Sequence, residues 1–299
     1  MPWSGVELAE VAPPGASGGQ GPVCVVKCGD YVAAFHSEES VPSGALLSSD
    51  SFTVMHVPTQ TARAYTGAST RGYSWDAGVA IGSHIYVRAV SSSGSNRDFR
   101  RIDPVTGGVS TLNSTGASSA PCGVLAAGRA AYVYAQSTQL HAYTTSGTLS
   151  TMTGGWSAGT AIAYNDGVIY VGGNNRVWEV DATTLTALGD YPVTGTTPQG
   201  VGVVIGNRIH WATGTSVMWY DMDTHDYATY AGASGEVMTG SLQLHSDGWL
   251  YATSTNGMSA INPTTGARVV DTLPTSLGRA GGLVSAGGYL WRPYGEPVS

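Results

Sequence analysis

Two short motifs recur along this chain at a nearly constant interval, and that interval constrains the fold more than any single residue does. The first is a turn bearing Gly or Asp, followed within a few positions by an apolar residue and then usually an aromatic. It reads CGDYVA at 28–33, IGSHIY at 81–86, AGRAAY at 127–132, NDGVIY at 165–170, IGNRIH at 205–210, SDGWLY at 246–251 and AGGYLW at 286–291. Successive copies end 53, 46, 38, 40, 41 and 40 residues apart. The second motif is an apolar residue and then a polar turn: IDPVTGG from 102, YTTSGT from 143, VDATT from 180, YDMDTH from 220 and INPTTGA from 261. Its copies are spaced 41, 37, 40 and 41, and Ser49-Asp50-Ser51 is a degenerate earlier one. Asp or Asn bonds its own backbone two residues on, Pro presets φ, and Gly accepts positive φ. Each motif therefore marks a hairpin between short strands.

Four short strands in a period near 40 residues are the mark of β-propeller blades. Seven copies of the first hairpin predict seven blades: 23–57, 76–112, 122–152, 159–188, 199–230, 240–270 and 281–299. The turns in IDPVTGG and INPTTGA resemble those of the seven-bladed propellers with quinoprotein-like and YVTN-type repeats. That resemblance covers nearly the whole chain and implies architecture rather than an activity. The last copy ends eight residues before Ser299, so the seventh blade is expected to have its two inner strands only. Residues 6–11 alternate like a strand, with a short helix as the other reading, and the chain breaks at Ala12-Pro13-Pro14-Gly15. The expectation is that segment 1–13 supplies an outer strand of the seventh blade and closes the ring, removing open sheet edges.

Composition agrees with an all-β chain. Glycine numbers 42 and charged residues make up 11%, against about 25% in ordinary soluble domains. No sustained 3.6-residue apolar period is present. The net charge of −7 speaks against a nucleic-acid partner. Lys27 is the single lysine among 13 cations, as in proteins from GC-rich genomes. The first residues, MPWSGVELAEV, lack the basic and apolar regions of a signal peptide, and no apolar stretch reaches the ~20 residues of a membrane span. Cys24 and Cys28 share a strand face but stand roughly 13 Å apart at ~3.3 Å per residue. That is too far for a disulfide, so buried free thiols are expected.

Regular hairpins occupy one face of such a fold, and the irregular segments Phe35–Ala45, Ser91–Arg97 and Val57–Ala77 fall on the other. Val57–Ala77 reads as a connection of about 20 residues, long enough to carry function. The candidate ligand-binding residues are Tyr65, Tyr73, Trp75, Trp156, Tyr191 and Tyr230 with Arg97 and Arg279; Arg63 and Arg71 lie among them. Rings beside uncharged hydrogen-bonding groups suit a sugar or a protein surface. Alternatively the same rings cap the blade ends and touch no ligand. Arg88, Arg97, Arg100 and Arg101 form a basic cluster expected to be solvated and paired with Asp98 and Asp103. The innermost strands are small and apolar, and Asp76, Thr160, Gln199 and Ser241 stand near the channel mouth, as does Arg279.

That channel-mouth set lacks the carboxylates of a calcium site and the ligands of a zinc site. The histidines show no paired ligand spacing, and His210 replaces the repeat's aromatic as a core residue. The expectation is therefore a binding or assembly propeller with no catalytic residues, no metal and no cofactor. Its partners would be other virion or tail proteins, or a cell-surface glycan or receptor, with no nucleic acid and no membrane insertion. Phage tail propellers have this surface-protein composition, so the chain is expected in the virion tail as a minor tail or tail-tip protein, made in the host cytoplasm. The alternatives are a cytoplasmic protein–protein scaffold and a propeller lyase, glycosidase or dehydrogenase.

Overall fold

The computed structural model describes residues 7–11, 24–35, 52–65, 73–91, 97–115, 125–127, 130–136, 138–156, 161–230, 232, 238, 242–254, 257–271 and 283–293. No helix occurs among the described residues. The strands come in sequential groups: β1 (Glu7–Val11), then β2 to β5 (Cys24–Cys28, Tyr31–Phe35, Phe52–His56, Thr61–Tyr65). Next are β6 to β9 (Tyr73–Ile81, His84–Ser91, Arg97–Ile102, Val109–Thr115) and β10 to β13 (Leu125–Ala127, Ala130–Gln136, Gln139–Tyr143, Leu149–Thr153). They are followed by β14 to β17 (Ala161–Asn165, Val168–Gly173, Arg176–Asp181, Ala187–Pro192) and β18 to β21 (Gln199–Ile205, Arg208–Ala212, Val217–Asp221, Tyr227–Tyr230). The chain closes with β22 to β25 (Gln243–Leu244, Leu250–Ser254, Gly257–Ile261, Arg268–Asp271) and with β26 and β27 (Val284–Ala286, Tyr289–Pro293). In every group, strands adjacent in sequence are adjacent in the sheet.

Burial follows strand position. The second strands β3, β15 and β19 are buried almost throughout, as their runs YVAAF, VIYVGG and RIHWA require of a strand covered on both faces. The fourth strands β5, β13 and β17 are largely exposed and carry polar sequences, TARAY, LSTMT and ALGDYP. The chain divides into two compact units, one of Met1–Ser118, His245–Asp247 and Asp271–Ser299, the other of Ser119–Leu244 and Gly248–Val270.

In the first unit, Val26, Ala33, Phe35, Phe52, Val54, Ile85, Val87 and Ile102 form one buried cluster. Within it Phe35 stacks on Phe52 at 5.6 Å and Phe52 on Tyr65 at 5.3 Å, a ladder across β3, β4 and β5. A second cluster joins Val32, Ala34 and Met55 to Val284, Ala286 and Trp291. β1 pairs with β27 in parallel, Glu7 opposite Tyr289 through Val11 opposite Pro293. A parallel neighbour cannot come from a tight turn, and here it comes from the other end of the chain. Cys28 is a buried free thiol, 3.8 Å from the Gly82 carbonyl, and burial and then Asp103 push its pKa up.

Two expectations fail in this unit. Arg88 and Arg100 are 1% and 3% exposed, so they are not a solvated cluster. Arg100 donates to Asp98 at 3.0 Å, and Ser114 donates to the other Asp98 oxygen at 2.7 Å. Burial is tolerable because the charge is paired and hydrogen-bonded. Segment Val57–Ala77 is not one long connection either. A turn at 57–60 leads into β5, and β6 already begins at Tyr73.

The second unit has three buried clusters, centred on Trp156 and Trp178, on Trp211 and Tyr220, and on Leu250 and Ile261. Its sheets β14–β17 and β18–β21 are joined into one of eight strands, because β14 pairs in parallel with β18 at Ala161–Gly200 and Ile162–Val201. The Trp211 indole reinforces the junction by donating to the Ile162 carbonyl at 3.2 Å.

Candidate functional site

The turns between third and fourth strands share one geometry. Asp103 accepts from the amides of Val105 and Thr106, Asp181 from Thr183 and Thr184, Asp221 from Asp223 and Thr224, and Asn262 from Thr264 and Thr265. These bonds hold the Asp103, Asp181 and Asp221 carboxyls below the usual carboxylate range; the largest cause is the Thr106 hydroxyl for Asp103, the Thr184 amide for Asp181 and the Thr224 amide for Asp221. Four residues after the Asp or Asn, the chain takes positive φ, at Gly107 (73°), Leu185 (54°), His225 (61°) and Gly266 (72°).

At three of these four turns the left-handed position meets a tyrosine from the fourth strand of the preceding sheet. A Cβ on Gly107 would stand 2.0 Å from the Tyr65 ring, and one on Gly266 would stand 2.5 Å from the Tyr230 ring. The Tyr65 hydroxyl donates to the Val105 carbonyl at 3.4 Å, and the Tyr230 hydroxyl donates to the Pro263 carbonyl. In the third instance His225 replaces glycine and stacks flat on Tyr191, with centroids 3.5 Å apart and 9° between planes. His225 Nδ1 lies 2.9 Å from the Tyr220 hydroxyl, which also reaches Glu179 Oε1 at 3.1 Å. Burial, with Glu179 adding to it, raises the pKa of Tyr220, and raises that of Tyr170 to about 12.

Two clefts flank the β4–β5 hairpin of the first unit. One, of about 250 Å³, is lined by Tyr31, Val54, His56, Thr61, Arg63, Tyr65, Pro104 and Val105. The period of two explains the lining: Tyr31 lies opposite His56, His56 opposite Thr61, and Val54 opposite Arg63, so all project from one sheet face. The other cleft, of about 310 Å³, is lined by Lys27, Gly29, Asp30, Val57, Pro58, Gln60, Ala286, Gly287 and Tyr289.

No protein-family model matches this sequence, and no curated protein sequence matches it. Solved structures do resemble it. KlHsv2 with loop 6CD replaced by a Gly-Ser linker superposes with a TM-score of 0.62 at 8% identity, over 90% of this chain and 87% of that one. A chain of the mitotic checkpoint complex superposes with a TM-score of 0.65 at 14% identity, over 96% and 94%. The fold is a β-propeller.

Within the propeller the expected ligand residues separate. Tyr65 lines a cleft while its ring also locks the neighbouring turn. Tyr191 and Tyr230 lie on fourth strands, and the contacts just described engage their rings in seams between sheets. Trp156 follows β13 in the chain but is not presented to a ligand: it is 1% exposed and packs edge-on against Trp178 at 5.8 Å. Tyr73 and Trp75 open β6, and Arg97 opens β8 opposite Val90 and Thr115. Asp76 is skipped in the β6–β7 register, which shifts between Trp75 and Ala77 as in a bulge. Gln199 is exposed at the start of β18. Thr160, Ser241 and Arg279 lie outside the described residues. His210 is a core residue, 1% exposed, with burial lowering its pKa.

Sequence reading missed the network of Glu179, Tyr220 and His225, and a His245–Ser285 hydrogen bond of 2.8 Å across 40 residues. Aligning the turn motifs by their positive-φ position would have singled out His225. Nothing in the sequence pairs His245 with Ser285, and neither residue lines either cleft. Among the described residues no group of three or more His, Cys, Asp or Glu side chains could hold a metal ion.

Proposed function

We propose that this chain is a seven-bladed, non-catalytic binding and assembly propeller in which β1 completes the sheet of β26 and β27. The observation that carries the binding role is the pair of open clefts beside the β4–β5 hairpin, built on rigid strands and walled by rings, hydroxyls and single cations. Such surfaces orient a ligand by a few polar contacts. The likeness to a chain of the mitotic checkpoint complex accords with work through protein partners.

Within that class we place the chain in a virion, as a minor tail or tail-tip protein of a phage with a GC-rich host, binding tail partners or a cell-surface glycan. The low charge, abundant glycine and near-absence of lysine support this assignment. Quantitative mass spectrometry of purified particles tests it. A small fixed copy number per particle is expected. Absence from particles, together with recovery in a cellular complex, would overturn the tail assignment and leave the scaffold reading.

A further inference from the structure

The cleft between β4, β5 and the Pro104–Val105 turn carries a more specific assignment, which rests on the binding reading above. We propose that it takes a sugar ring bearing a carboxylate. In a chain of net charge −7, its lining holds one guanidinium, one imidazole and no carboxylate. Arg63 is exposed, and its guanidinium makes no hydrogen bond or ion pair to a described residue. Its planar fork suits a carboxylate held through two parallel hydrogen bonds.

The walls supply what a bare anion site lacks. Tyr31 and His56 rings lie 5.0 Å apart, tilted by 43°, and Tyr65 forms the far wall. Tyr65 is fixed before any ligand arrives, stacked on Phe52 and bonded to the Val105 carbonyl. His56 is fixed through Nδ1, 2.8 Å from Thr59, which in turn bonds Thr61 at 2.8 Å. Flat ring faces meet the C–H faces of a pyranose, and the Thr61 and Tyr hydroxyls meet its oxygens. The volume of about 250 Å³ lies below the ~300–1,000 Å³ usual for drug-sized ligands. It therefore fits a terminal residue rather than a long chain. One guanidinium balances one negative charge, which favours a carboxylate over a phosphate dianion.

Isothermal titration of the full chain with N-acetylneuraminic acid, methyl glucuronoside, methyl glucoside and inorganic phosphate tests this. At least one acidic sugar should bind about tenfold or more tightly than methyl glucoside and than phosphate. Arg63→Ala should erase that preference, Arg63→Lys should keep part of it, and both variants should melt like the parent. The His56 ring signals should shift on adding the acidic sugar. Equal affinity for acidic and neutral sugars, no binding of either, phosphate binding as strong as the sugar, or an unaffected Arg63→Ala protein would each overturn the assignment. Presence in particles without acidic-sugar binding would refute this site while leaving the tail reading intact, so the two failures are distinguishable.

Discussion

The imidazole of His225 lies flat on the ring of Tyr191, 3.5 Å between centroids, where two sister turns have glycine against a tyrosine. One backbone geometry thus serves two kinds of seam. With glycine, the tyrosine presses against the backbone of the turn; with histidine, ring meets ring and a polar network extends to Tyr220 and Glu179.

The glycine seams yield a double-mutant prediction. Gly107→Ala should cost about 1–2 kcal/mol for the left-handed backbone, plus about 1–3 kcal/mol for crowding Tyr65. In a Tyr65→Ala background only the backbone part should remain, as measured by urea unfolding. Equal penalties in both backgrounds would show that the ring contact carries no energy.

Acid sensitivity should trace to the turn carboxyls. Asp103 and Asp181 titrate below their ordinary value, so their contribution is full above about pH 4 and is lost as the pH falls through the folded values. Asn262 makes the same amide bonds without a charge. Asp103→Asn with Asp181→Asn should therefore leave stability at pH 7 nearly unchanged and flatten its decline below pH 4. Unfolding free energies measured from pH 7 to pH 2.5 would reveal an unaltered slope if the idea is wrong.

Trp156 separates core from ligand roles. As a buried ring it should cost about 3–5 kcal/mol when cut to alanine, whereas exposed Arg63→Ala should stay within about 0.5 kcal/mol. Chemical denaturation of the two variants side by side decides between the roles. A Trp156→Ala protein as stable as its parent would contradict the burial.

Deleting residues 1–12 removes the parallel partner of β27 and leaves, among the described residues, a two-stranded sheet with a bare edge. The truncated protein should melt at a markedly lower temperature and aggregate more readily. An unchanged melting temperature in calorimetry would show that β1 contributes nothing.

Much of the scaffold is written in local residues. Asp-Ala-Thr-Thr and Asn-Pro-Thr-Thr-Gly fold into Asx-type turns through bonds that span only two or three positions, so the period could be read directly. β5 escaped notice because TARAY, an exposed fourth strand, has none of the apolar continuity of VIYVG. The seams escaped because Tyr65 and Gly107 are 42 positions apart and meet only once neighbouring sheets pack. The pairing of Asp98 with Arg100 was legible but its burial was not, because alternation tells which face a side chain takes, not whether that face is covered.

The main-chain junction of β14 with β18 has a dynamic consequence. These two sheets share ladder hydrogen bonds at Ala161–Gly200 and Ile162–Val201, with Trp211 clamped across them. Opening either one requires breaking backbone bonds of the other, so they should release their amide protons to deuterium as a single cooperative unit. Strands β14 to β21 would then be the slowest-exchanging region of the second unit, and the natural place from which its refolding starts.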